Sequence, residues 1–380
     1  MKKERTALIL DEMKRLNLDA VILRNPENVL FSTGYWPVLG WSCFVLRRDG
    51  GSSILIPESE LGFLGRNSVD EVKILKGETL FEVYDPARCL AQFIRELGIK
   101  GGSRVGCELS MESLAVTHVP ELSFTGYRTC RMLSEETKSE LVDFSNSLHE
   151  MRRIKNQGEI EKICTACEIA ALGLEKGLEE LREGMTEAEL ASTIEKAVYS
   201  KGLGYKGVRR IRGFAYVMSG VNGSSANLPF DISSQRRISR GESILIELNV
   251  QADGFWADLT RTWFIGAPSN ELKNRYEAVL EANEQATRFA ADGVAVREVD
   301  KVARDVISSK GLADEFNHRL GHGIGFRLHE PPDLHPVSNE VLREKMTFTI
   351  EPGVYGKYYG IRVEDVVLAT RTGGSKLSRP

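Results

Sequence analysis

Two stretches of the chain share one unusual pattern, and any fold must accommodate both. The first, "SILIELNV" over 243–250, runs into Asp253-Gly254 and returns as "FWADLTRT". Apolar alternation, a turn signal and an aromatic, Thr-rich return read as a β-hairpin. The second, "TFTIEPGV" over 347–354, repeats the Ile-Glu-x-x-Val of the first and leads on to "GIRVED". With the first loop at Ala252-Asp253, Glu247 falls directly opposite Asp258. Glu351 and Glu364 are 13 positions apart, an odd separation that allows the same facing arrangement across a tight hairpin. Facing carboxylates repel and destabilise a sheet. A slipped register with solvated side chains accounts for one such pair more readily than for two. A bound cation accounts for both.

The helical segments around these hairpins repeat as well. A helix is expected over 158–182, and a second opens at Thr186 with a capping box to Glu189 and stops near Gly202. After the first hairpin come helices over 270–291 and 298–310, then strands near 346–354 and 360–369. The order helix, helix, strand pair therefore occurs twice. The first 150 residues are organised differently. They alternate strands ("DAVIL", "SRVGCEL"), a hairpin around Asp49-Gly50 and an amphipathic helix, "PARCLAQFIRELG". A charged, helical connector is expected over 135–163. At 380 residues the chain is too long for one simple core. The expected fold class is α/β (α+β), with domains at 1–150 and 151–380.

Composition excludes several functions. A net charge of −4 gives no electrostatic case for nucleic acid or an anionic membrane. No stretch has the apolar length of a spanning helix, and the charged N-terminus does not resemble a signal peptide. A cytoplasmic location is expected. The six cysteines are scattered, as free thiols are. Cys164 and Cys167 form a C-x-x-C inside a helical pattern, which reads as two small core residues on one helix face rather than a metal or redox pair.

Four carboxylates converging from two hairpins would hold about two divalent ions, charge for charge. Further donors are at hand: four of the six histidines lie between 318 and 335, in "HRLGHGIGFRLHEPPDLHP". A histidine among carboxylates suits Mn, Fe, Co or Zn better than an all-oxygen Ca site. Two such metals, about 3.5–4 Å apart, are a recurrent hydrolytic device that acidifies a water and polarises the carbonyl it attacks.

Asp258 with "TRT", "HGIG" at His322, "TIEPGVY" at Glu351 and "GIRVED" at Glu364 resemble the metal-binding motifs of the pita-bread family of prolidase, aminopeptidase P, methionine aminopeptidase and creatinase. "LNLDAVILRNPENVLFSTGY" (16–35) resembles the start of the creatinase/prolidase-like N-terminal domain, and "EMRRIKNQGEIEKI" (150–163) the connector to the catalytic domain. The resemblance thus covers nearly the whole chain. It implies a C-terminal pita-bread domain with a pseudo-twofold αα-hairpin repeat, and a homodimer, the common state of the family.

Carried over by position, the resemblance implies the metal ligands Glu247, Asp258, His322, Glu351 and Glu364. His318 and His329 fall where relatives place histidines that contact substrate and the tetrahedral intermediate, and Arg362 where an arginine braces a metal-binding carboxylate. Glu351 would also carry the proton to the leaving amine. Two positions depart from the pattern. The family's peptidases use Asp where this chain has Glu247, and Phe230 stands where they carry a histidine. The extra methylene of Glu247 implies one tight and one weak ion. His335, beside a proline, is expected in a loop and not on the metal. The implied activity is dinuclear metal-dependent hydrolysis of an amide, with Xaa-Pro peptides the first substrate class. Hydrolysis of a C–N bond in a small metabolite, as in creatinase or ectoine hydrolase, and a catalytically silent peptide-binding protein are the alternatives.

Overall fold

The structure, a computed structural model, describes residues 2–38, 42–75, 86–110, 127–227 and 233–378. The chain divides into compact units on either side of Arg152 and Arg153. In the first unit the chain order is α1 (Lys2–Arg15), β1 (Ala20–Leu23), α2 (Pro26–Thr33), β2 (Cys43–Arg47), β3 (Ser52–Pro57) and β4 (Glu71–Leu75). It continues with α3 (Pro86–Glu96), β5 (Arg104–Cys107), α4 (Tyr127–Thr137), β6 (Glu140–Asp143) and α5 (Ser145–Arg153). The strands form one mixed sheet in the order β4-β3-β2-β1-β5-β6. β1 to β3 pair antiparallel around the Asp49-Gly50 turn, while β3–β4, β1–β5 and β5–β6 are parallel. The buried run Ala20–Leu23 lies at its centre, as a strand covered on both faces should.

The expected helical connector over 135–163 is a correction. Lys138 adopts a positive φ of 54°, ending α4, and Glu140–Asp143 pairs with β5 as an edge strand before α5 begins. Pairing with β5 and packing of Leu141 on the core of the first unit override the charged helical pattern.

The second unit holds α6 (Gln157–Glu180), α7 (Glu187–Gly202), β7 (Ile211–Ser219), β8 (Ser243–Ala252), β9 (Phe255–Phe264), α8 (Asn270–Phe289) and α9 (Val296–Ser309). It ends with β10 (Gly321–Gly323), β11 (Glu330–Leu334), β12 (Thr347–Ile350), β13 (Gly353–Gly356), β14 (Tyr359–Arg362), β15 (Asp365–Ala369) and β16 (Gly374–Lys376). Capping boxes open both α6, at Asn156 and Glu159, and α7, at Thr186 and Glu189. α6 and α7 pack on each other and on the sheet β7-β8-β9, and α8 and α9 form the second helical pair. Val279, Ala282, Val299 and Ala303 seal that pair against Phe348, Ile350 and Val367. The second sheet runs β11-β10-β12-β15-β16, and β13-β14 is a separate ribbon. Cys164 and Cys167 lie on α6 with Cys167 buried, and both are free thiols. No helix among the described residues is long and apolar enough to cross a membrane.

Candidate metal centre

The first hairpin turns one residue later than expected. Ala252 pairs with Phe255, so the loop is Asp253-Gly254, with φ of 46° and 94°. Both loop residues of this turn need positive φ, which Asp and Gly supply. The facing pairs are consequently Glu247–Thr260 and Asn249–Asp258, and not Glu247–Asp258. Glu247 and Asp258 still share a sheet face, because their strand positions differ by an even step. In the second half the expected facing holds. Ile350 pairs with Asp365 and Gly353 with Arg362, a common register that sets Glu351 opposite Glu364.

The two halves meet at Thr260 and Glu364. The Glu364 amide donates to the Thr260 carbonyl at 3.0 Å, and Thr260 Oγ1 donates to Glu364 Oε2 at 2.6 Å. Glu364 Oε1 is buried and accepts from no group among the described residues. Asp258 is buried and takes one hydrogen bond on Oδ1, from Asn249 Nδ2 at 2.7 Å. Its Oδ2 lies 3.8 Å from His322 Nε2. His322 is buried on β10, with Nδ1 3.0 Å from the Gly323 carbonyl. A carbonyl only accepts, so Nδ1 carries the proton and Nε2 presents a lone pair. Glu351 Oε1 sits 3.5 Å from that Nε2 and receives Thr349 Oγ1 at 3.1 Å.

One ligand atom from each of Asp258, His322 and Glu364 falls within 4.8 Å of the others. Burial raises the carboxyls of Asp258 and Glu364 well above the usual range, and neighbouring carboxylates raise them further. Burial raises Glu351 as well, against the pull of Arg362 and Arg319. An orphaned buried oxygen, an aimed imidazole lone pair and crowded acids all call for positive charge. The donor set fits a divalent cation of the transition series.

Glu247, Arg362, His318 and His329 lie around this cluster. The Arg362 guanidinium donates to Glu247 Oε2 through Nη2, to Thr260 Oγ1 through Nε at 3.1 Å, and through Nη1 to the Ala226 carbonyl at 2.7 Å and Tyr355 Oη at 3.0 Å. Tyr355 Oη lies 3.1 Å from His318 Nε2, and His318 Nδ1 lies 2.7 Å from the Arg319 carbonyl. Nδ1 therefore holds the His318 proton, and Tyr355 donates to Nε2. Burial, with Arg362 nearby, lowers His318 to about 3, so its ring stays neutral. His329 packs against His322 with tilted rings, 4.2 Å between centroids. His335 is exposed, and its Nδ1 accepts from the Val337 amide at 3.3 Å. Phe230 lies outside the described residues.

Asn249 and Tyr355 are the members the sequence reading missed. Asn249 was detectable by its two-residue spacing from Glu247 on one strand face, and Tyr355 closes the "TIEPGVY" stretch, though nothing local shows that it reaches His318.

Comparison with known proteins agrees with this architecture. The profile of Metallopeptidase family M24 matches residues 161–371, and that of the Creatinase/Prolidase N-terminal domain matches 5–154. The chain belongs to Metallopeptidase family M24. It is 30% identical to an Xaa-Pro dipeptidase of Pyrococcus horikoshii, over 99% of this chain and 97% of that protein. The prolidase structure from Pyrococcus horikoshii superposes with a TM-score of 0.80 at 29% identity, covering 99% of this chain and 98% of the other. An X-Pro aminopeptidase structure from Thermotoga maritima superposes at 0.80 with 28% identity, covering 97% and 98%.

Proposed function

We propose that this metallopeptidase-family hydrolase is a metal-dependent Xaa-Pro peptidase of the dipeptidase or aminopeptidase P type. The observation that carries the reading is the convergence of Asp258, His322 and Glu364 donor atoms within 4.8 Å. The names of the full-length relatives supply the substrate class. One ion of Mn, Co, Zn or Fe would be held by Asp258, His322, Glu351 and Glu364, with a second, weaker position beside Glu247. Such an ion acidifies a water and polarises the scissile carbonyl.

The protein's own groups do the rest. Glu351 Oε1, beside His322 Nε2, takes a proton from the attacking water and passes it to the leaving nitrogen. Arg362 fixes the direction of Glu247 and, through Tyr355, that of His318. His329 lines the same centre beside His322. We place the domain boundary at 150/151, and a cytoplasmic homodimer is the accompanying reading. Elemental analysis of the purified chain, paired with hydrolysis of Xaa-Pro dipeptides and longer Xaa-Pro peptides under added Mn, Co and Zn, tests it. Metal-independent hydrolysis, or none on any of these peptides, overturns it.

A further inference from the structure

Asn249 has no packing reason to be an amide. It is fully buried on β8, on the face that carries Glu247 and directly across from Asp258. Its Nδ2 donates to Asp258 Oδ1 at 2.7 Å. Its own Oδ1 accepts from no group among the described residues. A buried amide oxygen without a donor is unfavourable. What the residue gains is the contact to Asp258.

That contact commits one oxygen of Asp258, a carboxylate that would serve the centre. The other oxygen, Oδ2, is the one 3.8 Å from His322 Nε2. On the same sheet face, Glu247 is committed to the Arg362 guanidinium. The two carboxylates that would serve a second ion are thus each engaged by a protein donor. On the opposite side of the centre the donors are rotatable hydroxyls, Thr260 Oγ1 to Glu364 Oε2 and Thr349 Oγ1 to Glu351 Oε1, and Glu364 Oε1 has no donor among the described residues.

We propose that Asn249 sets the order in which the centre fills. It turns Asp258 so that Oδ2 serves the ion held with His322 and Glu364, and it shields Oδ1 from the position beside Glu247. A cation approaching Oδ1 meets amide hydrogens that carry partial positive charge. This inference rests on the metal-centre reading and adds to Glu247 a second residue that weakens the second position.

The test uses the full chain, stripped of metal and titrated with Mn²⁺ alone, with calorimetry and with equilibrium dialysis followed by elemental analysis. The wild-type chain should bind one equivalent tightly and a second much more weakly. Asn249→Ala should tighten the second equivalent by about 10- to 100-fold, the scale on which such supporting contacts tune a metal site. Asn249→Ser repeats the test with a smaller polar side chain, should the alanine variant not fold. Two equally tight equivalents in the wild-type chain overturn the proposal. So does a second equivalent that weakens in the variants, because the amide oxygen would then itself be a ligand. His322→Ala separates this failure from failure of the underlying reading. Loss of the first equivalent keeps the centre where it is placed, and retention of both moves it elsewhere.

Discussion

Lys155 and Glu330 form an ion pair at 2.7 Å with side chains 0% and 3% exposed. Lys155 precedes α6, and Glu330 follows His329 directly and opens β11, so the pair anchors one flank of the candidate centre. Lys155→Met keeps most of the side-chain volume and removes the charge. The Glu330 carboxylate then stays in a water-poor interior without its ammonium partner, a change that destabilises by about 3–5 kcal/mol. The exposed pair Lys273–Glu277, at 3.8 Å with side chains 63% and 60% exposed, is the internal control. Lys273→Met should leave the unfolding midpoint where it is, because water already solvates both charges. Urea unfolding of the full chain at about pH 8, followed by far-UV circular dichroism, reads the difference. Adding Glu330→Leu to Lys155→Met should recover most of the loss, since an apolar pair of similar volume replaces a buried ion pair at little penalty. A Lys155→Met variant within about 1 kcal/mol of wild type at that pH would refute the reasoning, because it would show the site to be solvated.

Further outcomes follow from the geometry of the centre and, for Phe230, from the family resemblance alone. His322→Ala should lower bound metal and abolish turnover while His335→Ala does neither, and equal losses would sink the assignment. Phe230→His should raise turnover on Xaa-Pro substrates, by up to the about 3–4 kcal/mol that one donor near the scissile bond contributes to the transition state. No gain in a folded, metal-binding variant would point to another substrate. Glu247→Gln should weaken the second metal equivalent and Glu247→Asp should tighten it, so dialysis showing no change in either removes Glu247 from the ligand set. His318 is held near 3 when folded, against 6.5 for an unperturbed imidazole. Its folded value is the lower one, so the unfolded chain binds the extra proton and stability drains as pH falls from about 6.5 toward 3. His318→Gln should flatten that stretch of the stability curve, and an unaltered slope between about pH 4 and 6 would contradict the buried, neutral ring.

Much of the second unit was legible because its signals are local. Thr186 and Glu189 close a capping box within one helical turn, and Asn156 and Glu159 do the same at α6. The strand pattern around Glu351 and Glu364 was equally readable, since their facing depends only on a shared hairpin register. Where the first hairpin turns depends on which two residues adopt positive φ, and the neighbouring choices Ala252-Asp253 and Asp253-Gly254 differ by one position. That step exchanged the partner of Asp258 from Glu247 to Asn249. The edge strand at Glu140–Asp143 was invisible for a related reason: its reward is a ladder with β5 more than thirty residues away in sequence. So too for the centre. Residue types and order named the carboxylates Glu247, Asp258, Glu351 and Glu364 and the histidine cluster as candidates, and the family resemblance picked out His322. Only the packing of one half against the other, through Thr260 and Glu364, decided that Glu247 answers to Arg362. Contacts between side chains a hundred residues apart leave no periodicity in the chain. They exist because two β-ladders bring buried charges together, where each polar group must find a partner or an ion.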